Sequence, residues 1–136
     1  MFTLFYASAL TILGLVLAFL TGRQRFKTGT NLGVGDDIGM LQITRAHGNL
    51  IEYALFFLIL SFLLETVANV PNIALMILGD IFLLSRMAHA YGITRTDGNS
   101  VFRAVGIIGT ILVLGIQSLW GFFLSFMWLL NNNWGF

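Results

Sequence analysis

Four apolar runs separated by short polar stretches set the pattern of this chain. Met1 to Gly22 contains no charged residue, which is long enough for a helix across the hydrocarbon core of a bilayer. The pattern predicts a first span over residues 2–20, with Gly22 as its stop. A cleavable signal peptide would need a basic amino-terminal region and a small-residue cleavage site, and neither is present. Arg23, Arg25 and Lys27 lead into a tract rich in Gly, Asn and Asp, residues 29–37, with the composition of a loop. A second span is expected over 43–64, then a turn around Glu65–Val70. Pro71, the only proline, suits the first turn of a third helix. That span, 71–91, is interrupted by Asp80 and Arg86. Residues 92–100 form a second polar loop with Asp97-Gly98-Asn99 near its end. The fourth span, 103–130, carries no charge after Arg103, and Trp120, Trp128 and Trp134 include its expected interfacial anchors.

Short connections between four spans predict an all-α integral membrane protein, a four-transmembrane-helix up-down bundle forming one domain over residues 1–136. Composition agrees. Of 136 residues, 57% are hydrophobic and only 10% charged, with a mean hydropathy of +0.88. A soluble domain of this size leaves too much surface in water to hide that much apolar area. The absence of cysteine removes disulfides and cysteine nucleophiles. Two histidines offer no zinc spacing, so no metal is expected. Gly33-Val34-Gly35 is no nucleotide fingerprint, since no strand precedes it. The net charge of +1 says nothing about partners, and no nucleic-acid partner is expected. Charge placement is more telling. All seven Lys and Arg residues lie in or beside the first and third connections. Loops 21–44 and 92–102 are therefore expected in the cytoplasm, with both termini on the opposite side.

Candidate chemistry begins with Arg45, Asn49 and Glu52, which at i, i+4 and i+7 share one face of a helix. Charges inside a bilayer are costly and often mark a site. Glu52 lies ~10 Å deeper than Arg45, and Asp80 ~9 Å deeper than Arg86. Arg103 opens the fourth span at the level of the other two arginines. Together these outline a polar pocket open to the cytoplasm. The plainer readings are structural. Polar side chains hold membrane helices together at ~1 kcal/mol apiece, and Asp80 would then pair with an arginine. His47, ~160° from the stripe, suits packing or a helix start. Arg86 and His89 could be interfacial charges alone, and Arg23, Arg25 and Lys27 topology determinants touching anionic lipid heads.

The stretch Arg45-Ala46-His47-Gly48-Asn49-Leu50-Ile51-Glu52-Tyr53 resembles the second-helix signature of the MAPEG family, the membrane-associated proteins in eicosanoid and glutathione metabolism. Arg86-Met87-Ala88-His89-Ala90-Tyr91-Gly92 is similar to the family's third-helix Arg-x-x-His/Tyr motif, and Arg103 opens the fourth span as an arginine does in its catalytic members. The resemblance is to a bacterial-type member. It implies a homotrimer with glutathione as co-substrate between neighbouring subunits. Arg45, Asn49, Glu52 and Tyr53 would hold the tripeptide, together with His89 and Tyr91. Arg103, with Arg86 second, would be catalytic.

Chemistry makes that implication sensible. Two carboxylates and an ammonium call for arginines and an acceptor carboxylate at fixed spacing, and a nearby guanidinium lowers a thiol pKa. A hydrophobic co-substrate would enter sideways from the lipid. Where the eicosanoid enzymes carry a tyrosine one turn after the His/Tyr position stands Ile93, and the Glu-Arg pair before the second-helix motif is Leu41-Gln42. These departures point away from eicosanoid synthesis. The expectation is a glutathione transferase or peroxidase acting on hydrophobic electrophiles in a bacterial inner membrane. The alternatives are a non-catalytic member of the same fold that binds a thiol or lipid, and a small four-helix exporter using Glu52 or Asp80.

Overall fold

Four helices make up most of residues 1–132, the part of the chain that the computed structural model describes: α1 (Phe2–Thr28), α2 (Ile38–Thr66), α3 (Asn72–Arg95) and α4 (Val101–Asn131). All four are long and apolar enough to cross a membrane. Trp134, expected among the interfacial anchors, lies outside the described residues.

The helices outrun the apolar runs that predicted them. α1 does not stop at Gly22 but continues through Arg23, Arg25 and Lys27 to Thr28. One interior glycine costs a helix only ~1 kcal/mol, and cations in the last turn suit the negative end of the helix dipole. The stop is Gly29, in the left-handed conformation at φ 68°, the backbone state of a helix C-cap. Arg25 then folds the loop beyond, its Nη1 donating to the carbonyls of Thr30, Asn31 and Gly33 at 3.1–3.4 Å. That arginine is therefore more than a topology charge. α2 starts five residues before the predicted span because Asp37 caps it, accepting from the Met40 N–H at 2.5 Å. Likewise α3 runs through Gly92 to Arg95.

Helices α2 and α3 form the middle of the bundle. α1 packs chiefly on α2 and α4 chiefly on α3, while α1 and α4 do not meet among the described residues. Along α2 the buried positions Ile43, Ala46, Leu50, Ala54, Phe57, Ser61 and Leu64 recur at three- and four-residue steps, the spacing of a seam between near-parallel helices. At mid-bundle Phe57 stacks on Phe82 with ring centres 4.0 Å apart, and Tyr6 meets Phe57 edge-on. The outer faces carry Leu4, Ile12, Phe19, Ile108, Leu119 and Phe122, as a lipid-facing surface requires.

Small residues draw α3 and α4 together. A Cβ on Gly106 would stand 2.6 Å from the His89 backbone nitrogen and the Ser85 carbonyl oxygen, and one on Gly92 would meet the Arg103 backbone. Close backbone approach through glycine is a common device of membrane helices. It brings the Gly106 carbonyl within reach of Arg86.

Two carboxylates tie α1 to α2, one at each end. Asp37 accepts from the Gln24 side chain at 2.9 Å while capping α2. Hydrogen bonds from Gln24 and then from the Met40 N–H hold its carboxyl below the ordinary aspartate range. At the opposite end Glu65 accepts from the backbone N–H groups of Phe2 and Thr3 at 3.1 and 2.9 Å and pairs with the Met1 amino group. It thereby caps the start of a helix distant from it in sequence.

Candidate functional site

Arg86 is the largest fully buried side chain, 2% exposed, at the junction of α2, α3 and α4. Its Nη1 donates to Asn49 Oδ1 at 3.2 Å and reaches the Asn49 carbonyl at 3.5 Å, and its Nη2 donates to the Gly106 carbonyl at 3.2 Å. The guanidinium lies 5.0 Å from the centre of the Tyr53 ring. Buried Nε finds no hydrogen-bond partner, and no carboxylate pairs with Arg86 among the described residues. A buried cation balanced only by carbonyl dipoles and a π face is costly. It also leaves a fixed positive potential in the bundle. Arg86 is thus no interfacial charge.

One turn further along α3, His89 is 7% exposed. Its Nδ1 lies 3.2 Å from the Arg103 carbonyl. A carbonyl only accepts, so Nδ1 carries the hydrogen and donates, while Nε2 is buried and unpartnered. The imidazole therefore presents a lone pair with nothing to receive.

Beside these residues opens a cleft of ≈ 630 Å³ walled by Asn49, His89, Asn99, Ser100, Arg103 and Ile107, among others. Small-molecule sites occupy ~300–1,000 Å³. A smaller opening of ≈ 240 Å³ adjoins it, where Gln42, Arg45, Thr96 and Asp97 surround the other side of Arg103. Arg103 lines both. It is placed there by Ser100, whose hydroxyl accepts from the Arg103 N–H at 3.4 Å and caps α4. The guanidinium groups of Arg45 and Arg103 make no hydrogen bond or ion pair among the described residues.

Glu52 stands apart. It lies at the midpoint of α2 yet is exposed, as is Arg45 seven residues before it. Neither charge turns into the chain's own core. The stripe on α2 divides: Asn49 faces inward to Arg86, and the two charges face outward. Tyr53 is half-buried beneath Arg86. Tyr91 lies on the outer surface, edge-on to Phe102 and 5.4 Å from the Arg95 guanidinium, so the fold does not bring it to the cleft. Asp80 corrects an expectation. It pairs with no arginine and accepts instead from the Tyr6 hydroxyl at 2.8 Å, because that face of α3 packs on α1. His47 lines an apolar groove between α1 and α2, away from the cleft.

Sequence reasoning missed Asn99, Ser100 and Asp97. They were legible only as turn residues, and nothing in their spacing announces that the α3–α4 turn folds back over Arg103. No group of acids and histidines suited to a metal occurs among the described residues.

Compared with known proteins, residues 3–123 match the family model described as MAPEG family. No curated protein and no solved structure matches the chain.

Proposed function

The chain belongs to the MAPEG family, and from that premise we propose that it is a membrane-embedded glutathione transferase or peroxidase acting on hydrophobic electrophiles. The observation that carries this reading is a cleft and an adjoining opening that hold cationic donors with nothing to bind: the Arg103 guanidinium, which lines both, and the Arg45 guanidinium beside it. A zwitterionic thiol peptide answers that set. Its carboxylates take guanidinium donors, its ammonium takes the Glu52 carboxylate, and Asn49 and Tyr53 complete the cradle.

In this reading Arg103 is the catalytic arginine, free to face the sulfur and favour thiolate. The thiol proton leaves to water at the open mouth of the cleft, while His89, donating through Nδ1 to the Arg103 carbonyl, helps hold that arginine in place. For conjugation, the sulfur forms a bond to an electrophilic carbon as the leaving group departs with its electron pair. For a peroxide, sulfur bonds to one oxygen as the O–O bond breaks and the released alkoxide takes a proton; a second glutathione then yields the disulfide and water. Arg86 is engaged by Asn49 and Gly106, which suits a positioning residue that orients Asn49 and adds positive potential. Tyr91 has no part.

Glu52 supports the homotrimer. A carboxylate at the middle of a membrane helix costs ~2.5–3.5 kcal/mol when it faces lipid. A second copy packed on this face of α2 removes that cost and closes the site, which the neighbouring subunit then shares. The one-sided Lys and Arg residues support the basic end facing the cytoplasm, and the resemblance to a bacterial-type member suggests that the membrane is a bacterial inner membrane.

The test is calorimetric titration of glutathione into the detergent-solubilised protein. Saturable binding, weakened at least tenfold in Arg45→Ala and in Glu52→Ala, is the expected result. Wild type and both variants behaving alike would sink the reading. Binding with no ultraviolet thiolate absorbance and no turnover of generic electrophiles would leave a non-catalytic glutathione binder.

A further inference from the structure

Distant from the basic-end cleft, α1 and α3 enclose an opening of ≈ 400 Å³ lined by Met1, Phe2, Phe5, Tyr6, Met76 and Asp80. Its chemistry is the reverse of the first. Tyr6 is 4% exposed, and its hydroxyl lies 2.8 Å from Asp80 Oδ1 and 2.9 Å from the Met76 carbonyl. A phenol has one proton to share between those two acceptors. The Asp80 carboxylate is exposed, and its second oxygen accepts nothing among the described residues. An ionised carboxylate offers about four acceptor sites, so this one is held in place but far from satisfied. No lysine or arginine lines the opening, and the Met1 amino group on its rim is engaged by Glu65. In a bilayer such a carboxylate calls for a counter-charge.

The remaining walls say what kind. A hard metal ion wants six or more oxygen ligands, and the opening offers one carboxylate. Its other surfaces are two methionines and three aromatic rings, with Phe5 and Tyr6 edge-to-face at 5.1 Å. An acid beside aromatic faces fits an organic ammonium, whose charge is drawn to both. We propose that the α1–α3 opening binds an organic ammonium carried on an apolar body, with the charge against Asp80 and the apolar part along Phe2 and Phe5. Tyr6 is the positioning residue that fixes the carboxylate. Two sources share this chemistry: the headgroup of an ammonium-bearing phospholipid and a free amphiphilic cation.

The proposal is independent of the glutathione reading. Its test begins with benzyltrimethylammonium titrated into the full chain in maltoside micelles. Saturable binding is expected, weakened at least tenfold in Asp80→Asn and severalfold in Tyr6→Phe, with glutathione binding unchanged in both. Tyr6→Phe keeps the ring and loses only the hydroxyl, so it reports even if Asp80→Asn folds poorly. Native mass spectrometry assigns the source. Retention of phosphatidylethanolamine over phosphatidylglycerol in wild type and not in Asp80→Asn identifies the lipid headgroup. Absence of that preference, with the free ammonium still bound through Asp80, identifies a free amphiphile. No saturable ammonium binding, or equal affinity in wild type and both variants, overturns the proposal.

Discussion

The two ends of the bundle use their polar groups in opposite ways. At the end away from the basic loops, Glu65 caps α1 and Gln117 donates to Ser61 at 2.8 Å between α4 and α2. These groups hold helices to one another, although the Gln117 Oε1 has no partner among the described residues. At the basic end the guanidiniums of the site outnumber their partners: that of Arg86 has only carbonyl oxygens and a ring, and those of Arg45 and Arg103 have no partner among the described residues. Polar groups inside a membrane protein are normally satisfied because the bilayer offers no substitute. Unpartnered guanidiniums gathered in one cleft are what supports the proposed site at the basic end, more than charge count does.

Five variants test the contrast, the largest expected effect first, with Gly115→Ala as the control for Gly106→Val. Arg103→Ala should lower turnover by ~100-fold or more, the scale of losing one group that stabilises developing charge. It should leave the thermal midpoint near wild type, because this guanidinium holds nothing in the fold. An equal loss of stability would move Arg103 into the structural class. Gly106→Val should destabilise by ~2–3 kcal/mol, since its new atoms meet backbone that cannot swing aside. Gly115→Ala, with open space around it, should be neutral or stabilising by denaturation in the same detergent. Glu65→Ala should cost ~1 kcal/mol as the loss of a helix cap and leave glutathione affinity alone; a change in affinity would couple the two ends.

The smallest effect concerns pH. Folding lowers the pKa of Asp37, so its contribution is complete above the unfolded value of ~3.9 and is lost as pH falls through the folded value. The thermal midpoint of wild type should therefore drop faster than that of Asp37→Asn as pH falls from 5 to about 3, below that reference value. Parallel curves would show that this cap contributes nothing.

Much of the architecture was legible because the bilayer imposes a simple code. A run of apolar residues long enough to span it must become a helix, and the four runs did. Boundaries were less legible. Gly22 resembles a stop as much as Gly29 does, and only the left-handed backbone at Gly29 distinguishes them. At the site, the periodicity of Arg45, Asn49 and Glu52 put them on one side of α2 but did not say that Asn49 turns to Arg86 while the charges turn outward. Asp80 and Arg86 occupy one helix six residues apart. Which neighbour each meets depends on how α3 is rotated in the bundle, and that is set by Gly79 against Tyr6 and by Gly106 against His89.

By itself the sequence determined that this chain lies in a membrane as four helices, that its cations gather at one end, and that it carries the MAPEG signature. These follow from local composition and periodicity, which act residue by residue along the chain. Tertiary structure alone decided that Arg86 is buried without a carboxylate, that His89 keeps Nε2 free, that the α3–α4 turn walls the cleft, and that Asp80 answers to Tyr6. Each is a contact between distant helices. Helix rotation and close glycine approach create such contacts, and neither leaves a mark in the order of residues.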